Sequence, residues 1–164
     1  MARNDRHLVS RRPARFLDRS ILLLVATVAV LVSGYVHFYL YFEGGYRGIH
    51  PQSVLGLTIS RAFILNAVAA VIIAEALVAA TCWAKWILPA AAAGIVFAVS
   101  ALAAYTLTRT AGFLGFSDTQ HPTAAAIAVT TEAITVVSLA AVIAAELYLR
   151  GEQRPQSRHA GSRA

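Results

Sequence analysis

Four long apolar runs separated by short polar stretches organise the chain. The first, Ile21 to Phe42, opens on Ile-Leu-Leu-Leu-Val and closes in an aromatic group of Tyr35, Phe38, Tyr39, Tyr41 and Phe42. Residues 62–82, 87–107 and 123–149 form the other three. Each is near the roughly 20 residues that an α-helix needs to cross a hydrocarbon core. The aromatic end of the first run suits a headgroup boundary, as do Trp83, Lys85 and Trp86 in the hinge between the second and third. Pro122 stands where a helix begins at no hydrogen-bond cost. A basic segment followed by an apolar run is also the layout of a secretory signal. Here the run is long and has no clear small-residue cleavage site before its aromatic end, so an uncleaved span is expected. Open sheet edges cannot face lipid, so the pattern predicts an all-α, polytopic transmembrane four-helix bundle.

Composition excludes the main alternative, a soluble domain. Of 164 residues, 58% are hydrophobic and 13% charged, against about 45–50% and about 25% in soluble domains. With four spans, the remaining length is a basic tail over residues 1–20, short loops, and a second basic tail over 150–164 that is expected to be disordered. No room is left for a nucleotide-binding fold, and the single cysteine, Cys82, excludes an internal disulfide. Cys82 is read as a small apolar residue at a helix end.

The net charge of +6 raises the question of nucleic acid, and the positions of the charges argue against it. Arg3, Arg6, Arg11, Arg12, Arg15 and Arg19 precede the first run, and Arg150, Arg154, Arg158 and Arg163 follow the last. No interleaved aromatics or folded nucleic-acid motif accompany them. Flanking arginines instead follow the positive-inside rule and suit anionic headgroups. With both termini in the cytoplasm, Lys85 joins them inside, while Arg47, Arg61 and Arg109 fall outside, which predicts an N-in, C-in topology. Gly34, Gly94, Ser100 and Ser138 are small enough to let helices approach closely in lipid. The halves of the chain show no repeat that would suggest an inverted-repeat transporter.

Ionisable groups inside spans are expensive, and so are the first candidates for function. Glu132 lies nearest the midplane, with Thr131, Thr135 and Ser138 beside it or on the same side. It either hydrogen-bonds a neighbouring helix or handles a proton or ligand. His37, in the outer third of the first span, shares a face with Ser33 and Tyr41 and is expected to bond across helices. No second histidine lies within a span, which disfavours bis-histidine haem. Glu75 is expected to find polar groups on adjacent helices or Lys85, and Glu146, near the inner end of the last span, is expected to reach water. The outer loops add Tyr46, Arg47, His50, Asp118 and His121, with Phe113 and Phe116 able to dip into the interface. His37, Tyr41, Tyr46, Arg47, Arg61, Asn66, Asp118 and Glu132 are therefore the candidate lining of a polar cavity on the outer face. His37, His50, Asp118, His121 and Glu132 have ligand chemistry but no compact metal-binding spacing, so no metal and no cofactor is expected. No catalytic motif is present.

Tyr35-Val-His37-Phe-Tyr-Leu-Tyr41, Gly45-Tyr46-Arg47-Gly-Ile49, Phe63-Ile-Leu-Asn66-Ala67 and Phe113-Leu-Gly-Phe116-Ser-Asp118 carry a resemblance. Over roughly Ser33 to Glu132 the chain resembles small four-span membrane proteins of high-GC Gram-positive bacteria, and is distantly similar to DoxX-type proteins in size and layout. The resemblance implies a fold and a bacterial plasma-membrane address, and no activity. Two functions stay open. One is a non-enzymatic membrane component or accessory subunit, with a membrane-protein partner or a second copy of itself. The other is a small transporter or redox accessory handling a proton, quinone or small polar ligand in the cavity above Glu132.

Overall fold

A computed structural model describes residues 12–49, 57–114, 116–117 and 121–160 of the chain. It contains four long helices: α1 (Arg12–Phe42), α2 (Ile59–Cys82), α3 (Ile87–Thr110) and α4 (Pro122–Ala160). Each contains a segment long and apolar enough to cross a membrane: Arg19–Phe42, Ile59–Cys82, Ala84–Thr110 and Pro122–Gly151. The architecture is that of a helical protein compatible with integral membrane placement.

Local chemistry sets the helix ends. Thr58 caps α2 by accepting a hydrogen bond from the Arg61 amide on its Oγ1 at 3.2 Å, which satisfies one of the orphan donors of the first turn. A single 3-10 turn, Ala84–Trp86, links α2 to α3. Pro89 follows in the first turn of α3, where a missing N–H is harmless. α3 stops at Gly112, whose φ of +80° is the left-handed geometry that glycine adopts without strain. α4 begins at Pro122 and continues as helix to Ala160, into the segment that composition alone marks as a disordered tail.

The helices form a closed circuit of neighbours. α1 packs against α2 and α4, and α3 packs against α4 and, more sparsely, α2. The α1–α4 seam follows intervals of three and four residues on both helices. Leu23, Ala26, Val30, Ser33 and Leu40 are buried on α1, and Ala125, Ala128, Glu132, Thr135, Leu139, Val142 and Glu146 on α4. That is the spacing of helices that cross at a shallow angle and interlock side chains. Two apolar clusters result. One, near the chain termini, contains Leu23, Leu77, Ile87, Leu139 and Val142, all fully buried. The other, at the opposite loop end, joins Val36, Leu40, Tyr46 and Ala128. The outward surface is apolar too: Leu24, Tyr35, Val96 and Val137 are all at least 60% exposed. Such a surface suits lipid rather than water.

Small residues bring the backbones together where the sequence places them, with one exception. A Cβ on Gly34 would collide with the Cβ of Ala70, so α1 and α2 meet almost backbone to backbone there. A Cβ on Gly94 would strike the end of Leu139, and Ser138 is buried. Ser100 does not serve this purpose: it faces outward, and its hydroxyl donates to the Phe97 carbonyl of its own helix at 2.8 Å.

The close approach at Gly34 yields a measurable consequence. Gly34→Leu should lower thermal stability in detergent by an overpacking cost of about 1–3 kcal/mol. Gly48→Leu should change it little, because a Cβ at Gly48 has no atom within 4 Å. Equal melting temperatures for the two variants would contradict the packing described.

Candidate functional site

Between the two apolar clusters lies a polar layer, and the cavity opens there. It has a volume of about 100 Å³ and is walled by all four helices. His37 and Leu40 come from α1, Phe63 and Asn66 from α2, Ala101, Ala104 and Tyr105 from α3, and Ala125, Ala128 and Glu132 from α4. Phe113 and Phe116 stand at its loop end. These two exchange backbone hydrogen bonds at 2.8 and 2.9 Å, closing a tight turn through Leu114, which takes a left-handed φ of +52°. The α3 and α4 walls include Ala101, Ala104, Ala125 and Ala128, whose short side chains leave the volume. A space of that size has room for several waters or a compact solute.

Three polar groups project into it. Glu132 is 2% exposed, and its Oε1 accepts a hydrogen bond from Ser33 Oγ at 3.0 Å. His37 lies one turn further along α1, where its Nδ1 is 2.8 Å from the Ser33 carbonyl oxygen. A carbonyl can only accept, so Nδ1 carries the proton. In the neutral ring that leaves Nε2 as an acceptor, and Nε2 has no hydrogen-bond partner among the described residues. Asn66 completes the group: its Oδ1 is buried and accepts no hydrogen bond among the described residues. A buried amide oxygen left unpaired costs about 1–3 kcal/mol. Ser33 is the hub, orienting the carboxyl through its side chain and the imidazole through its backbone.

Aromatic stacking holds the loop end in place. Tyr46 is 2% exposed and stacks on Phe63 at 4.7 Å between ring centroids, with Phe116 edge-on at 5.4 Å. His37 contacts the other part of this group, its ring 5.4 Å from that of Phe63. His121 Nε2 is 3.3 Å from the Gly44 carbonyl, tying the approach to α4 onto the first loop. Ser60 donates to the Arg47 carbonyl at 3.1 Å, fastening that loop to α2.

The expected cavity lining is thus only partly assembled. His37, Asn66 and Glu132 converge, whereas Tyr41, Tyr46, Arg47 and Arg61 are not among the lining residues. Tyr46 is instead the buried wedge behind Phe63 and Phe116. Arg47 is exposed, its guanidinium 5.9 Å from the Phe42 ring centre, and Arg61 is exposed on the first turn of α2. Tyr41 packs edge-on against Phe42 at 4.8 Å. Asp118 and His50 lie outside the described residues. Among the described residues, no three His, Cys, Asp or Glu side chains gather closely enough to hold a metal ion.

Two acids depart from expectation. Glu146 does not reach water: it is buried, and its Oε1 accepts from Arg19 Nη1 at 2.6 Å. Arg19 therefore belongs to the packed helices, although charge counting assigns it to the tail. Among the described residues, Glu75 meets neither Lys85 nor a polar group on a neighbouring helix. It is exposed on α2, while Lys85 sits 5.9 Å from the Trp86 ring centre.

Comparison with protein-family models, curated proteins and solved structures gives no match.

The Ser33–Glu132 contact can be weighed by replacement. Glu132→Gln keeps an oxygen acceptor and should preserve most of the coupling to Ser33, whereas Glu132→Leu should remove it. In a double-mutant cycle with Ser33→Ala, the wild-type pair should show a coupling of about 0.5–2 kcal/mol, the range of interhelical hydrogen bonds in bilayers. Additive effects of Ser33→Ala and Glu132→Leu would mean that the hydrogen bond contributes nothing.

Proposed function

We propose that this chain is a non-enzymatic integral membrane protein, a four-helix transmembrane bundle that binds a small polar solute in the cavity beneath its loop end. The observation that carries this reading is the unpaired Oδ1 of Asn66, buried in the same cavity as Glu132 and the free Nε2 of His37. Three acceptors aimed into one small volume lined by aromatic rings suit a compact hydrogen-bond donor, and a small organic cation best of all. A carboxylate and ring faces both favour positive charge. The resemblance to small membrane proteins of high-GC Gram-positive bacteria supports placement in the plasma membrane. The eleven basic residues at the terminal end support cytoplasmic termini, which sets the cavity toward the outer side.

Binding fits better than conduction. Beneath Glu132 the fully buried Leu23, Leu77, Ile87, Leu139 and Val142 fill the terminal half of the bundle, leaving the cavity one-sided in this conformation.

Thiol accessibility tests the reading. In a Cys82→Ser background, Ala104→Cys places a thiol on the cavity wall. A small ammonium-bearing thiosulfonate should label it several-fold faster than a sulfonate-bearing reagent of similar size, and Glu132→Gln should reduce that preference. Labelling no faster than at the fully packed position Ala26→Cys, or no charge preference at all, would refute a cation-favouring site.

A further inference from the structure

Glu75 is an acid for which the chain provides no answer. It sits 16 residues into α2, about 24 Å from the start of the helix and about 10 Å from its end at Cys82. That is within the apolar span, yet the side chain is exposed and makes no hydrogen bond or ion pair among the described residues. Its neighbours on the outward face are apolar: Leu65, Val68, Ile72 and Val78 are each more than half exposed. A carboxyl presented to lipid costs about 2.5–3.5 kcal/mol at a helix centre, and Glu75 carries part of that cost. α2 is also the least covered span. Only 17% of its apolar window is buried, against 44%, 39% and 33% for α1, α3 and α4.

We propose that the Leu65–Val68–Ile72–Glu75–Cys82 stripe of α2 is a dimer interface between two copies of this chain, joined at its centre by hydrogen bonding between the two Glu75 carboxyls. The spacing of 3, 4, 3 and 7 residues keeps these side chains on one face, as in a helix-pairing seam. Copies inserted with the same orientation are related by a twofold axis along the membrane normal, which brings each residue to the depth of its counterpart. A protonated carboxyl has both a donor and an acceptor, so two that share protons satisfy each other where an unrelated apolar face could not. Polar side chains that bond across helices are a recurrent source of association in lipid. The proposal rests on membrane placement and is independent of the cavity.

Cys82 lies seven residues from Glu75 on this stripe and is exposed, so the native chain carries its own reporter. Mild oxidation of the full-length protein in lipid vesicles should cross-link it through Cys82. In a Cys82→Ser background, Ile72→Cys should cross-link, and Val137→Cys, on the exposed face of α4, should not. Dimerisation measured by energy transfer at increasing lipid dilution should weaken about tenfold in Glu75→Leu, the loss of one interhelical hydrogen-bonded pair. Glu75→Gln should stay near wild type, because an amide also both donates and accepts. Glu75→Leu should fold normally, since no hydrogen bond or ion pair among the described residues is lost. A monomer at all dilutions, cross-linking through Val137→Cys, or unaltered association of Glu75→Leu would each overturn the proposal. Equal loss in Glu75→Gln and Glu75→Leu would overturn it too, because an amide both donates and accepts.

Discussion

The rest of the structure depends on the pairing of α1 with α4 through two polar contacts in one register. Arg19 meets Glu146 near the termini and Ser33 meets Glu132 near mid-span, and the two pairs are fourteen residues apart on both helices. Fourteen residues are two heptads, so both contacts fall on the same seam of each helix, about 21 Å apart. In lipid, apolar side chains gain little from meeting one another rather than acyl chains, and packing alone specifies register weakly. Shifting α4 by one residue would break both contacts together and take from the buried Glu132 and Glu146 carboxyls the donors that Ser33 and Arg19 supply. Breaking a fully buried ion pair on one side costs about 3–5 kcal/mol, an upper bound for the part-buried Arg19–Glu146 contact. Register is therefore fixed at two depths.

The cavity follows from that register. Once α1 and α4 are aligned, Ser33 holds the Glu132 carboxyl with its hydroxyl and the His37 imidazole with its carbonyl, so both face the interior at adjacent levels. Below them large aliphatic side chains fill the space, and above them Tyr46, Phe63 and Phe116 stack into a rigid group. At the intervening level, the walls on α3 and α4 include Ala101, Ala104, Ala125 and Ala128. Their short side chains leave the volume, and Asn66 from α2 brings an acceptor into it. On the proposed reading, recognition is built from a missing bulk and a surplus of acceptors, held by helices rather than loops.

Much of this was legible in the sequence, for identifiable reasons. The four spans are visible because hydropathy depends on length and composition, which need no knowledge of neighbours. Glu132 and His37 stand out because an ionisable group at depth is conspicuous wherever it points. The seam itself is hidden: α2, α3 and α4 carry alanine and valine on every face, so no polar side outlines the buried one. Arg19 and Glu146 were hard to place because a charge near a helix end has the same sequence signature whether it reaches water or a partner. Arg47 and Arg61 looked like cavity residues for being polar and close in sequence to it, but the helical phase of α2 and the turn at Tyr46–Gly48 leave them exposed. Asn66 is the opposite case, a residue whose importance comes from an unmade bond.

Charge exchange across the seam is the most direct measurement of the central claim. Arg19→Glu and Glu146→Arg should each lower the unfolding temperature in lipid nanodiscs, since each places like charges against one another in a buried contact. The double exchange restores opposite charges in the same register and should recover most of that loss. A double variant as unstable as the sum of its two parents would contradict the account, because it would show that the contact between Arg19 and Glu146 does not hold α1 and α4 in register.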